Sequence, residues 1–184
     1  PSRWPDINLG AHYWVPAGPG FFQRFEGAFD GLGHTVSHVR IDNPSADYQG
    51  LFGCVGDNGS VRNLTVADTS ISGNTYVGGI AGRAFGPLSN CMVSAGGTVS
   101  GASYSIGGVV GCAEGALFEC VNGAAVTGGG AVGGVAGEAN GLITNCRNSG
   151  AVLGNSTVGG VAGSALGTLA DCFNSGNVEA SGGE

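Results

Sequence analysis

The apolar residues of this 184-residue chain do not return every three or four positions over any stretch long enough for a helix. They come in short runs bounded by glycine. Val77-Gly78-Gly79-Ile80-Ala81-Gly82 returns as Ile106-Gly107-Gly108-Val109-Val110-Gly111, as Val132-Gly133-Gly134-Val135-Ala136-Gly137 and as Val158-Gly159-Gly160-Val161-Ala162-Gly163. Gly50-Leu51-Phe52-Gly53 is a divergent earlier copy. From Gly53 the closing glycines step by 29, 29, 26 and 26 residues. Cys91, Cys120, Cys146 and Cys172 step by 29, 26 and 26. Each of these cysteines has an apolar residue three positions earlier, at Leu88, Leu117, Ile143 and Leu169. Val126, Val152 and Val178 each lie six positions after a cysteine. Every copy therefore holds three strand-length apolar pieces, separated by Gly, Ser and Asn.

Three short strands in about 26 residues make one coil of a three-sided solenoid. One coil cannot bury its own inner face, whereas coils stacked about 4.8 Å apart share a continuous core. The pattern predicts an all-β, right-handed parallel β-helix of about five to six coils. Residues 1–49 are expected to form an N-terminal cap with the first coil or coils, 50–178 the regular solenoid, and 179–184 a tail at a truncation point. The chain starts at Pro1 without a Met, as a piece of a longer or processed protein would. The last coil has no cap in the sequence, so its strand edges are expected to invite end-to-end self-association. The separating glycines are expected to supply positive φ at the turns.

Composition narrows the function. Glycine accounts for 39 residues, without the three-residue period of collagen. Charged residues are 10%, every basic residue is Arg, and the net charge is −7. That balance builds no basic face for nucleic acid and no polybasic segment for anionic lipid. No apolar run reaches the ~18 residues of a membrane span.

The six cysteines divide into two rows. Cys91, Cys120, Cys146 and Cys172 hold one repeat position and should stack as a ladder, with parallel Cβ vectors unsuited to bridging. Cys54 and Cys112 hold another, with Arg83 in the coil between, which sets them about 9–10 Å apart. Six reduced thiols are expected, at least four of them buried. Asn122, Asn148 and Asn174 follow two residues after three of the ladder cysteines, and Val93 breaks that row. They are expected to stack and hydrogen-bond to one another and to turn backbone.

Catalytic patterns are sparse. His34 and His38 are four apart, but Thr35 stands where a zinc peptidase needs Glu, and the segment reads as a strand. No cysteine pair has zinc-finger spacing. No Gly-Lys-Ser/Thr loop exists without Lys. No metal site, cofactor or catalytic residue is assigned. Of the scattered acids, Glu119 and Asp171 share a repeat position two coils apart, the weak basis for a carbohydrate-active enzyme. Residues 1–49 hold both tryptophans and half of the phenylalanines. Trp4, Tyr13, Trp14, Phe21 and Phe22 are either a cap on the open end or an aromatic platform for a ligand.

The G-G-[IV]-[AV]-G copies resemble the GLUG-motif repeats of bacterial surface proteins. Phe25-Glu26-Gly27-Ala28-Phe29-Asp30-Gly31-Leu32-Gly33-His34-Thr35-Val36 is similar to the segment that commonly precedes such repeats, as is Asp6-Ile7-Asn8-Leu9 with Trp14 and Pro16. Val or Ile replaces the Leu of the family name in most copies. The resemblance implies a cell-surface or secreted bacterial protein. It implies a structural or adhesin-like module, as in filamentous-haemagglutinin-like adhesins, or an accessory region of an immunoglobulin A-specific metallopeptidase. The alternative is a binding module for a host glycan or protein that uses the N-terminal aromatics.

Overall fold

In the computed structural model, which describes residues 6–182, every regular element is a β-strand. The strands pair in parallel and form three walls of a solenoid of about six coils. One wall stacks Phe52–Val55, Ala81–Ala84, Val110–Ala113, Ala136–Ala139 and Ala162–Ala165 in chain order. Ala17 and Phe25 bridge to Phe52 and Val55 and add a layer below it. A second wall runs from Arg40–Asp42 through Ser70–Gly73, Thr98–Gly107, Ala125–Gly133 and Val152–Gly159 to Val178–Ala180. The regular pairing thus extends two residues into the expected tail, with Glu179 and Ala180 opposite Leu153 and Gly154.

The third wall contains the ladder cysteines. Ser60–Ala67 and Leu88–Val93 cross it unbroken. In later coils the strand splits in two, as in Ile143–Thr144 and Arg147–Asn148. The split falls at a left-handed residue. Asn63, Asn90, Glu119, Asn145 and Asp171 hold φ between 50° and 54° in five successive coils. This kink explains the three-residue spacing between inward positions. In a straight strand, residues three apart face opposite sides. The left-handed residue adds a half-turn, so Leu117 and Cys120, or Ile143 and Cys146, all reach the core, each with no exposed surface.

A second left-handed column closes the opposite corner: Tyr48, Tyr76, Ser105, Ala131 and Thr157, with φ between 47° and 61°. Positive φ among the described glycines is confined to Gly10, Gly18, Gly33 and Gly96. The expectation that the repeat glycines serve left-handed turns is therefore corrected. They are needed because backbone and side chains come too close for a Cβ. A Cβ on Gly111 would lie 2.5 Å from the Gly82 carbonyl oxygen and 2.6 Å from that of Ser105. A Cβ on Gly108, Gly134 or Gly160 would overlap the side-chain amides of Asn122, Asn148 and Asn174. At Gly79 the obstacle is Val93, which takes the place of Asn in that coil.

The core is small-residue and continuous, from Val36 through Leu64, Ile80, Val109 and Val135 to Val152. Trp14, Phe25 and Phe29 pack against it at the N-terminal end. In the last coil the equivalent positions are open: Leu169 is 38% and Val178 41% exposed, and Cys172 is half-buried.

Two substitutions on this corner should have opposite effects. Gly111→Ala forces backbone apart and should lower unfolding stability by about 1–3 kcal/mol. Ala131→Gly relieves a left-handed alanine and should raise it by up to about 1 kcal/mol, the conformational relief partly offset by glycine's greater unfolded-state freedom. Urea titrations of the two variants measure both signs.

Candidate functional site

The parallel stack carries equivalent residues into columns, so each candidate site is a column or a corner of the prism. The asparagine column is the most regular. Asn122 Nδ2 donates to Asn148 Oδ1 at 2.8 Å, and Asn148 Nδ2 donates to Asn174 Oδ1 at 2.7 Å. Each Nδ2 also donates to the carbonyl two residues on, at Ala124, Gly150 and Gly176, over 2.8 to 2.9 Å. The backbone N–H of that same residue donates back to each Oδ1. Asn122 and Asn148 are fully enclosed, and their donors are spent inside the stack. These two residues have no donor left for a ligand, and only half-buried Asn174 at the end of the column keeps one.

All six cysteines are free. Cys91, Cys120, Cys146 and Cys172 stand in one column, each thiol donating to the carbonyl two residues earlier at 3.3 to 3.5 Å. Hydrogen bonding to Cys120 and burial both push the Cys146 thiol above its ordinary value. Burial does the same for Cys172. Cys146 and Cys172, held protonated in this way, are poor nucleophiles and poor metal ligands, whereas the hydrogen bond with Cys120 lowers the buried Cys91 thiol.

Glu119 and Asp171 occupy the left-handed kink, exposed, with Asn145 in the coil between them. Their side chains appear in none of the ion pairs or hydrogen bonds of the described residues. The stack instead brings together two acids that the sequence leaves scattered. Cys112 pairs with Arg83 on one side and Glu138 on the other, in the column Cys54, Arg83, Cys112, Glu138, Ser164. Glu114 lies two residues beyond Cys112 on the same face. Both carboxylates reach the Cys112 thiol, at 3.6 Å for Glu114 and 3.7 Å for Glu138. Burial, reinforced by both charges, holds that thiol well above its ordinary value.

This pair is committed to the fold. Arg83 binds Glu114, Asn140 Nδ2 donates to Glu114 at 3.2 Å, and Ser105 Oγ donates to Glu138 at 2.7 Å. Partial burial raises the Glu114 carboxyl, but hydrogen bonds from Arg83 and Asn140 outweigh it and hold the group below its usual value. Such an acid is ionised at neutral pH and cannot serve as a general acid there. Three successive coils are stapled by Arg83, Glu114 and Asn140. Period arithmetic could have found the pair, because Glu138 follows Cys112 by one 26-residue repeat.

The N-terminal aromatics part company. Trp4 lies outside the described residues. Trp14 donates its indole N–H to the Leu51 carbonyl at 2.8 Å and packs on the core. Tyr13, 70% exposed, stands over a hollow of about 390 Å³ that Trp14, Asp42, Asn43, Asp47 and Gln49 also line. Phe21 and Phe22 instead lie edge to face at 5.3 Å, with Phe21 against Phe85. Arg24 is sandwiched between Phe21 and Phe85, 4.2 Å from each ring, and pairs with Asp57 at 2.8 Å. His34 and His38 flank the strand Thr35–Ser37, and no group of three metal-ligating side chains forms among the described residues.

No family model matches the chain. Halomucin of Haloquadratum walsbyi is 44% identical over 89 residues, which is 48% of this chain and 1% of halomucin. The "Putative Gly-rich membrane protein" of Evansella cellulosilytica is 36% identical over 100 residues, half of this chain and 12% of that one. The chain thus spans a small part of the relatives it matches. The crystal structure of a "putative immunoglobulin A1 protease" from Bacteroides ovatus superposes with a TM-score of 0.72 at 21% identity. That match covers 91% of this chain and 66% of the other, and it shows a shared fold.

Two measurements check the columns. Asn148→Ala strands several buried backbone and amide groups and should cost about 2–4 kcal/mol, while the same change at half-buried Asn174 costs about 1 kcal/mol, in equilibrium unfolding. Glu114 has a folded-state pKa below its unfolded value of about 4.5. Its contribution is present above that value and lost as pH falls through the lower folded one. Glu114→Gln should therefore melt earlier than the parent at pH 7, and the difference should shrink as the solution is acidified below pH 4.

Proposed function

We propose that this solenoid is a non-catalytic structural module of a cell-surface or secreted protein, a rigid segment that spaces or presents other parts of a longer chain. The observation that carries this reading is the internal use of the outer-face polar groups. Glu114 and Glu138, the paired acids of that face, are held by Arg83, Asn140 and Ser105. A rigid stack whose coils are tied to one another in this way suits a stalk.

The placement at a cell surface draws on the relatives. One is a halomucin and another is described as a Gly-rich membrane protein. An adhesin-like role in a bacterial surface protein is the finer form of the proposal, supported by the resemblance of the Gly-Gly-[Ile/Val]-[Ala/Val]-Gly copies to GLUG repeats. A second reading, an accessory region beside a peptidase that cleaves immunoglobulin A, draws on the fold shared with the Bacteroides ovatus protein.

Antibodies raised against the purified chain test the location. They should label intact cells of the source organism, and external protease should remove the signal. Labelling only after permeabilisation would overturn the proposal.

A further inference from the structure

We propose that the corner around Tyr13 is a binding groove for a neutral oligosaccharide, with Tyr13 as the stacking platform and Asp42, Asn43 and Gln49 as the hydroxyl-reading groups. Two hollows meet there. The first, about 390 Å³, is walled by Trp14, Pro16 and Pro19 on one side and by Asp42, Asn43 and Gln49 on the other. The second, about 350 Å³, continues past Arg40, Ser70 and Ser72. Tyr13, Ile41 and Asp42 line both, so the tyrosine stands as a ridge between two compartments. Each is within the size range of small-ligand sites.

The chemistry of the walls selects the ligand. An exposed tyrosine ring offers an apolar face to the C–H face of a sugar ring, with a hydroxyl at its edge. Gln49 is 95% buried, yet it lines the first hollow. Its Nε2 is fixed by the Asp47 carbonyl at 2.6 Å, which leaves Oε1 as an oriented acceptor without a hydrogen-bond partner among the described residues. Asp47 is fixed in turn, its Oδ1 accepting from Asn74 Nδ2 at 2.9 Å and Thr75 N at 3.1 Å. Asp42 and Arg40 belong to none of the ion pairs formed by the described residues. Their polar ends remain free for a ligand.

Charge and backbone exclude the main rivals. Asp42 and Asp47 outnumber Arg40 along the groove, which disfavours uronic and sialic acids. A peptide that added a strand would need the open edge of Arg40–Asp42. Tyr13 bridges to Arg40 there, and Trp14 N already donates to the Arg40 carbonyl at 2.8 Å. The ridge between two hollows favours a ligand of at least two sugar units, one on each side of Tyr13.

The site does not depend on where the protein resides or on its being a stalk. Trp14 lines the groove, so its fluorescence reports occupancy. The full chain is titrated with di- to hexasaccharides of the cello-, chito-, manno- and galacto- series, with oligogalacturonides and sialyllactose as anionic controls. The expected result is saturable binding of at least one neutral series, tighter for longer chains. Tyr13→Ala and Asp42→Asn should each weaken it about tenfold at unchanged melting temperature, and Phe22→Ala on the other face should leave it intact. Because Asp42 is exposed, its variant remains informative if Tyr13→Ala misfolds. No binding in any neutral series at millimolar sugar, preference for the anionic controls, or affinity unmoved by Asp42→Asn would overturn the proposal.

Discussion

The solenoid depends on the close approach of its own walls. At Gly108, Gly134 and Gly160 the space a Cβ would fill is taken by the amides of Asn122, Asn148 and Asn174. At Gly111 two carbonyl oxygens of neighbouring segments occupy it. A cross-section this tight leaves one choice of residue on one wall once the opposite wall is set. The glycine motif and the asparagine column are therefore two halves of one contact. The coil with Val93 keeps its glycine, because Val fills the same space. This accounts for a chain with 39 glycines that folds into regular structure despite the flexibility glycine adds to the unfolded state.

A tight interior also dictates how polar groups survive inside it. A buried amide must find its partners within its own coil or in the next, and the asparagine column does both. The same rule governs the half-buried outer row, where Arg83, Glu114 and Asn140 link three coils and Ser105 holds Glu138. Periodic stacking thus ties the half-buried charges of that row to one another. The non-repeating N-terminal corner escapes this rule. There Tyr13, Asp42 and Gln49 line a hollow, and the Asp42 and Arg40 side chains form no ion pair among the described residues.

Much of the fold was legible because a solenoid maps sequence period directly onto space. The cysteine steps and the apolar residues three positions before them placed the third wall, and the asparagine row stood out by the same arithmetic. The left-handed columns were not legible. In the cysteine wall four of the five are Asn or Asp, which tolerate positive φ locally, but Glu119 and the second column of Tyr, Ser, Ala and Thr have no such preference and are held there by stacked neighbours, while the glycines that suggested turns serve close contacts. The Glu114–Glu138 pair does not align on the glycine motif itself, since Glu114 stands three residues after Gly111 and Glu138 one after Gly137, and it emerges only when Cys112 is taken as the link between them. The Tyr13 groove was half visible. Tyr13 and Trp14 were picked out as aromatics, but Asp42 and Gln49 come from later segments without a repeat to align them. Grouping Phe21 and Phe22 with them failed, since the chain turns between them and sends that pair towards Phe85.

The central claim is that coils stack in the register that places Asn122, Asn148 and Asn174 in one hydrogen-bonded column against glycine. Side-chain amide NMR tests it directly in a protein of 17.9 kDa. The account predicts nuclear Overhauser contacts from the Asn122 amide to Asn148 and from Asn148 to Asn174. It also predicts contacts from each amide to the α-protons of Gly108, Gly134 and Gly160, and slow solvent exchange at the two enclosed residues. Freely exchanging Asn122 and Asn148 amides without contacts between coils would contradict it.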